Sequence, residues 1–173
     1  MKIQMLLVAL YAFNIVFIWF VVVLKRFEWY KVPGSLILFV LPFLSVLPAQ
    51  PKFELDYFWW MVAGYVAIAL GLLLIIWAKY SFKKIFTWVG FNPSNLITKG
   101  PYKLVRHPMY LGLIFVFVGW WWVWAAVYAF YFGMFILAQL WLLAYLEEKL
   151  MLEKIYAKEY IEYRQATGMF WIK

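Results

Sequence analysis

The residues best equipped for chemistry fall in one short stretch and two later clusters. Lys99 to Gly112, KGPYKLVRHPMYLG, holds two prolines, two tyrosines, three Lys or Arg residues and the single histidine of the sequence. Glu147 and Glu148 stand side by side further on, followed by Tyr160, Tyr163 and Arg164. With no cysteine in the chain, thiolate nucleophiles, disulfides and cysteine metal sites are excluded. His107 with two glutamates on other elements is a poor ligand set, because a metal site needs several converging nitrogen, sulfur or acidic donors. No metal is expected. Gly100 suits a close backbone approach to a ligand, but there is no GxxxxGK and no GxGxxG after a strand, so phosphate-loop and dinucleotide readings fall away. What remains is a polar, cationic site. Ionisable groups at a membrane edge are costly unless paired or wet, so Glu147 or Glu148 is expected to meet Arg106, Arg164 or a bound ligand. Tyr102, Tyr110, Tyr160 and Tyr163 could line a pocket, though aromatic residues at 24% of the chain usually serve packing or the interface. Residue types alone do not name a reaction.

The elements that must position these groups are membrane helices. The chain has 173 residues, 68% of them hydrophobic and 14% charged. Its mean hydropathy is +0.83. A soluble domain is nearer half apolar and a quarter charged, so the sequence predicts one all-α, integral-membrane helical bundle over 1–173. The net charge of +8 is concentrated beside hydrophobic segments. Positive-inside bias and anionic headgroups account for it there, and no nucleic-acid partner is expected.

About five spans are predicted, over 5–24, 33–47, 57–78, 108–123 and 127–146. The first is span-length and no small-residue cleavage site follows it, so it reads as a span rather than a leader. The second is short and carries Pro42, which implies a kink. Tyr57-Phe58-Trp59-Trp60 opens the third as an interfacial belt. Met109 to Leu146 is 38 residues without a charge. One helix of that length would measure about 57 Å against a hydrocarbon core of about 30 Å, so a turn is expected near 122–127, at a second tryptophan belt of Trp120, Trp121, Trp122 and Trp124. Between spans lies a loop over 79–107. Its SFKKIFTWVGF segment suits an interfacial amphipathic helix, and Asn92-Pro93-Ser94 suits a turn. Residues 147–173 form a charged amphipathic tail with Leu152, Tyr156, Tyr160 and Tyr163 on one stripe and Gly168 as a stop. The tail is expected to fold back over the central loop.

Lys and Arg number three after span 1, one after span 2, six after span 3 and none in the last turn. That distribution sets the N-terminus outside, with the central loop and the helical C-terminal segment in the cytoplasm. In a prokaryote the membrane is the plasma membrane.

Leu96-Ile97-Thr98-Lys99-Gly100-Pro101-Tyr102, Val105-Arg106-His107-Pro108-Met109-Tyr110, the paired Glu147-Glu148 and Tyr160-Ile161-Glu162-Tyr163 together resemble the isoprenylcysteine carboxyl methyltransferase and phospholipid methyltransferase superfamily. The resemblance is strong over about 96–168. It implies a membrane-embedded enzyme that uses S-adenosylmethionine as methyl donor, needs no metal, and methylates a lipophilic small molecule among the membrane lipids. Carried over by position, Lys99, Gly100, Pro101, Tyr102, Val105, His107, Pro108, Tyr110, Glu148 and Tyr160 are the implied cofactor contacts, His107 and Glu148 foremost. Arg106, Glu147, Tyr163 and Arg164 are the implied catalytic or acceptor-orienting groups. Prenyl-cysteine members often carry an arginine one turn before the paired glutamates, where this chain has Leu143 and Ala144. A carboxylate acceptor would call on Arg106 or Arg164, and an amine acceptor on Glu147 or the tyrosines. A scaffold kept for a non-catalytic or reductase-like role is the alternative.

Overall fold

Apolar helix length governs the architecture. The computed structural model describes residues 2–30, 33–54, 57–81 and 96–173. These form α1 (Lys2–Val23), α2 (Pro33–Leu44), α3 (Tyr57–Tyr80), α4 (Pro108–Trp124), α5 (Val127–Glu147) and α6 (Glu153–Ala166). Three helical runs are long and apolar enough to cross a membrane: Ile3–Val23, Phe58–Tyr80 and Val127–Ala166. Two shorter apolar helices, α2 and α4, complete an all-α membrane-spanning bundle. At 12 residues α2 is about 18 Å long, well short of a hydrocarbon core of about 30 Å.

Its shortness has a structural counterpart. Asn14, nine residues before the end of α1, donates from Nδ2 to Gly34 O at 3.0 Å. The start of α2 therefore lies well down the flank of α1. Tyr30 OH donates to Asn14 Oδ1 at 2.6 Å. Gln139 of α5 donates from Nε2 to Asn14 Oδ1 and, at 3.1 Å, to the Tyr30 hydroxyl. This neutral network is fully buried and ties α1, α2 and α5 together.

Helices α3 and α4 pack antiparallel at backbone contact, which glycine makes feasible. A Cβ on Gly64 would lie 3.0 Å from Gly119 O, and one on Gly71 only 2.5 Å from Gly112 O. The Trp60 and Trp122 rings stack along the same seam, centroids 3.7 Å apart. The second tryptophan cluster is thus not a simple interfacial belt. Trp121 is 2% exposed and its Nε1 donates to Pro42 O and Ser45 Oγ. Among the four, only Trp124 is well exposed. Packing of α4 against α2, α3 and α5 buries Trp121 and half-buries Trp120 and Trp122.

Ala125 and Ala126 turn the chain between α4 and α5, with Ala125 in the left-handed region at φ +49°. Residues 50–53 brace this turn. Phe53 N donates to Ala125 O, Val127 N to Pro51 O, and Gln50 Oε1 accepts from Ala129 N, satisfying one of the open donors at the start of α5.

At the other end, α5 continues through a π-turn (Glu148–Leu152) into α6. The whole run of 40 residues measures about 60 Å, twice the apolar core, so roughly half of it leaves the bilayer. Its apolar stretch ends at Leu146. Ala157, at φ +46°, kinks α6. Beyond α6 the chain turns back, and Arg106 N and His107 N donate to Gly168 O and Met169 O at 2.9 and 3.2 Å. The tail therefore does lie against the residues that lead into α4. The expected interfacial helix, apart from Ser81, and the Asn92-Pro93-Ser94 turn lie outside the described residues.

Candidate functional site

The ion cluster assembles where α4 begins and α5 ends. His107 is the N-cap of α4 and Pro108 its first residue, where the missing proline N–H costs nothing. Glu148 opens the π-turn, a departure from α-geometry often found at functional sites. Its carboxylate, 2% exposed, receives Arg106 Nε at 2.8 Å and Nη2 at 3.2 Å, and lies 2.9 Å from His107 Nε2. The carboxylate also lies close to the α4 N-terminus, whose macrodipole favours negative charge. Burial by itself would raise the Glu148 carboxyl. The hydrogen bonds from His107 and Arg106, with the charge of these neighbours, outweigh it and hold the group at about 2. Glu148 is therefore an anion at neutral pH, and His107 Nε2 faces it as an N–H donor.

Arg106 is more clamp than free cation. Besides Glu148 it donates from Nη1 to Arg164 O at 3.2 Å and to Thr167 O. Four of the five N–H groups a guanidinium carries are thereby directed at described acceptors. The clamp fixes the end of α6 to the start of α4. Tyr163 OH reinforces it by donating to Tyr102 O at 2.5 Å.

Glu147 has a different environment. Its Oε2 accepts from Tyr110 OH at 3.1 Å, and among the described residues no cation pairs with it. Tyr110 sits three residues after His107, one helical turn on, so both face the glutamates. Their rings meet edge to face at 5.5 Å. Tyr160 is 1% exposed, and its hydroxyl faces the Glu148 carboxylate; burial first, and that carboxylate with it, raises the hydroxyl well above the ordinary phenol value. Tyr102 is buried as well, and burial, with Glu147 nearby, pushes its hydroxyl well above the ordinary phenol value. It stays protonated at neutral pH.

The sequence-derived residues thus divide. Arg106, His107, Tyr110, Glu147 and Glu148 converge directly, Tyr102 and Tyr163 join through one hydrogen bond, and Tyr160, Val105, Pro101 and Pro108 are buried around them. Lys99 is exposed. Gly100 packs toward the end of α3 instead: at φ +63°, a Cβ there would lie 2.4 Å from Ser81 Oγ. The Arg164 side chain turns outward to Glu153 at 2.5 Å, alongside Lys149. Leu143 and Ala144 are buried apolar packing. Sequence reasoning did not include Thr167 and Met169, whose carbonyls receive Arg106 and His107. Among the described residues no three His, Asp or Glu side chains gather in a way that could hold a metal ion.

A family model described as phospholipid methyltransferase matches residues 59–159, more than half of the chain. The match takes in Lys99–Tyr110 and both glutamates and stops one residue before Tyr160. No curated protein and no solved structure matches the chain.

Proposed function

The chain belongs to the phospholipid methyltransferase family, and on that premise we propose that it transfers a methyl group from S-adenosylmethionine to the amine of a lipophilic acceptor at the cytoplasmic membrane face. The observation that carries the choice of acceptor is the unequal state of the two glutamates. Glu148 is neutralised by Arg106 and His107, whereas Glu147 faces the same space with only a tyrosine on it. A carboxylate acceptor would need an available cation. Arg106 is engaged by Glu148 and two carbonyls, Arg164 by Glu153, and Leu143 and Ala144 offer none. An amine acceptor needs an anion or aromatic faces, and Glu147, Tyr102 and Tyr110 supply both. The uneven loop distribution of Lys and Arg supports the cytoplasmic assignment.

The residues present suit the methyl donor. His107, Glu148 and the Tyr160 hydroxyl beside it would hold its polar groups, with Tyr102, Tyr110, Pro101, Val105 and Pro108 as walls and Lys99 and Gly100 at the outer edge. S-adenosylmethionine, when bound, supplies a methyl carbon activated by an adjacent sulfonium. Glu147 would orient the acceptor's N–H and receive the proton released as the new N–C bond forms. Arg106, held by four hydrogen bonds, would act as a positioning residue that keeps Glu148 and the tail in place. Catalysis of this kind rests on alignment more than on strong acid or base, and the buried aromatic walls exclude water.

The test is an assay of the full chain, reconstituted with a membrane lipid extract and isotopically labelled donor. The reading predicts labelled lipid from which mild alkali releases no labelled methanol, because an N-methyl bond is not cleaved by hydroxide. Label released by mild alkali as methanol would mean an ester, hence a carboxylate acceptor. No labelled lipid from folded protein would favour a non-catalytic use of the scaffold.

A further inference from the structure

Helix α6 bends where its own sequence gives no reason to bend. Residues 153–166, EKIYAKEYIEYRQA, hold no glycine or proline and are rich in Ala, Lys, Glu, Arg and Gln, all good helix formers. Yet Ala157 sits at φ +46°, ψ −118°, on the positive-φ side where an L side chain is strained. Glycine would take such angles without that strain; the chain instead has alanine, the strongest helix former. Ala157 is exposed, so the bend does not come from burying its side chain.

The bend is imposed from a distance. One guanidinium, Arg106, reaches the Glu148 carboxylate and the carbonyls of Arg164 and Thr167. In a straight helix Glu148 and Arg164 would stand about 24 Å apart, so this clamp exists only in the bent chain. Arg164 likewise meets Glu153 at 2.5 Å across the bend. A straight helix would part those two backbones by about 16.5 Å, more than their side chains span. The limb held in this way covers the ion cluster: the Tyr160 hydroxyl faces Glu148, and Met169 O receives His107 N. Local preference for a straight helix and tertiary preference for a bent one thus oppose each other at a single residue, the condition for a two-position element. We infer that α6 is a gate: bent at Ala157 it closes over Glu148 and His107, and straightened there it releases the Arg106 clamp and uncovers them. The bending itself does not rest on methyl transfer; only the identity of what the gate admits, the methyl donor, rests on the function proposed above.

The test is an electron-paramagnetic distance measurement on the detergent-solubilised full chain. The sequence has no cysteine, so Lys25→Cys and Glu162→Cys place two spin labels cleanly, one just past α1 and one on the limb beyond Ala157, both at exposed positions. Two distance populations are expected, the one absent from the bent structure belonging to the straight helix. Ala157→Gly relieves the bent form and disfavours the straight one, and is expected to lower the straight-to-bent ratio at least threefold. Glu153→Gln removes the ion pair across the bend and is expected to raise the ratio by roughly twofold, as suits a half-exposed pair. A single distance that neither variant moves would overturn the gate, as would a ratio that Ala157→Gly raises. S-adenosylmethionine added to the wild type is expected to deplete the straight population. Populations that answer to Ala157→Gly and not to S-adenosylmethionine would uphold the gate and overturn the donor as what it admits.

Discussion

Two buried polar networks share this bundle and differ in what they leave over. The mid-bundle network of Asn14, Tyr30 and Gln139 is neutral and closes on itself but for one amide oxygen, Gln139 Oε1. The network at the α4–α5 junction is ionic. It pairs Glu148 with Arg106 and His107 and leaves an anion, Glu147, with only the Tyr110 hydroxyl on it. Both bury groups that lipid will not solvate, and both therefore hold helices together. Only the second keeps a charge that no described cation pairs with. Buried polar groups that are mutually satisfied describe a joint, whereas the unpaired Glu147 beside a paired Glu148 is what the proposed amine acceptor calls for.

The largest expected effect is at Glu148. Glu148→Ala leaves Arg106 and His107 buried without their anion, and breaking such a pair costs about 3–5 kcal/mol. Thermal unfolding in detergent measures it, and a loss under about 1 kcal/mol would remove the distinction between the networks. Asn14→Ala is expected to cost less, about 1–2 kcal/mol, because individual hydrogen bonds between membrane helices average about 0.6 kcal/mol. It should leave affinity for the methyl donor unchanged; a parallel loss of both would couple the networks. Acid stability separates them further. The Glu148 carboxyl sits at about 2 in the folded chain against 4.5 ordinarily. Its stabilisation is complete above the ordinary value and is lost as pH falls through about 2. Unfolding temperatures followed across that window should show the slope in the wild type and in Asn14→Ala, and a flattened slope in Glu148→Gln. The smallest effect is a control remote from both networks. Ala125 holds φ +49°, so Ala125→Gly should stabilise by up to about 1 kcal/mol, the reverse of glycine's usual effect.

How much of this was legible depended on distance along the chain. Arg106, His107, Pro108 and Tyr110 are contiguous, and a proline at a helix start leaves a readable mark. Glu147 and Glu148 end a long uncharged run, so both halves of the ion cluster could be named from sequence. Their division of labour was implied only by the resemblance, because residue type does not say which carboxylate meets Arg106. The same limit hid the role of Arg106 itself, whose clamp uses the carbonyls of Arg164 and Thr167, and backbone acceptors carry no residue-type signal. Asn14 stood out as polar within an apolar helix, but its contact with Gln139 spans 125 positions. The depth at which α2 starts followed from the bond of Asn14 to Gly34 O and not from hydropathy. Composition read the tryptophans at 120–124 as a belt because a count of rings cannot tell lipid from the Pro42 carbonyl.

The central claim is that the ionic network, and not the neutral one, holds the methyl donor. Calorimetric titration of the folded, detergent-solubilised chain with S-adenosylmethionine tests it most directly. The account predicts saturable binding, weakened by about 1.5–3 kcal/mol in His107→Ala through loss of one hydrogen bond involving a charged group, and unchanged in Asn14→Ala. No binding by the folded wild-type chain, or equal affinity in His107→Ala, would contradict it.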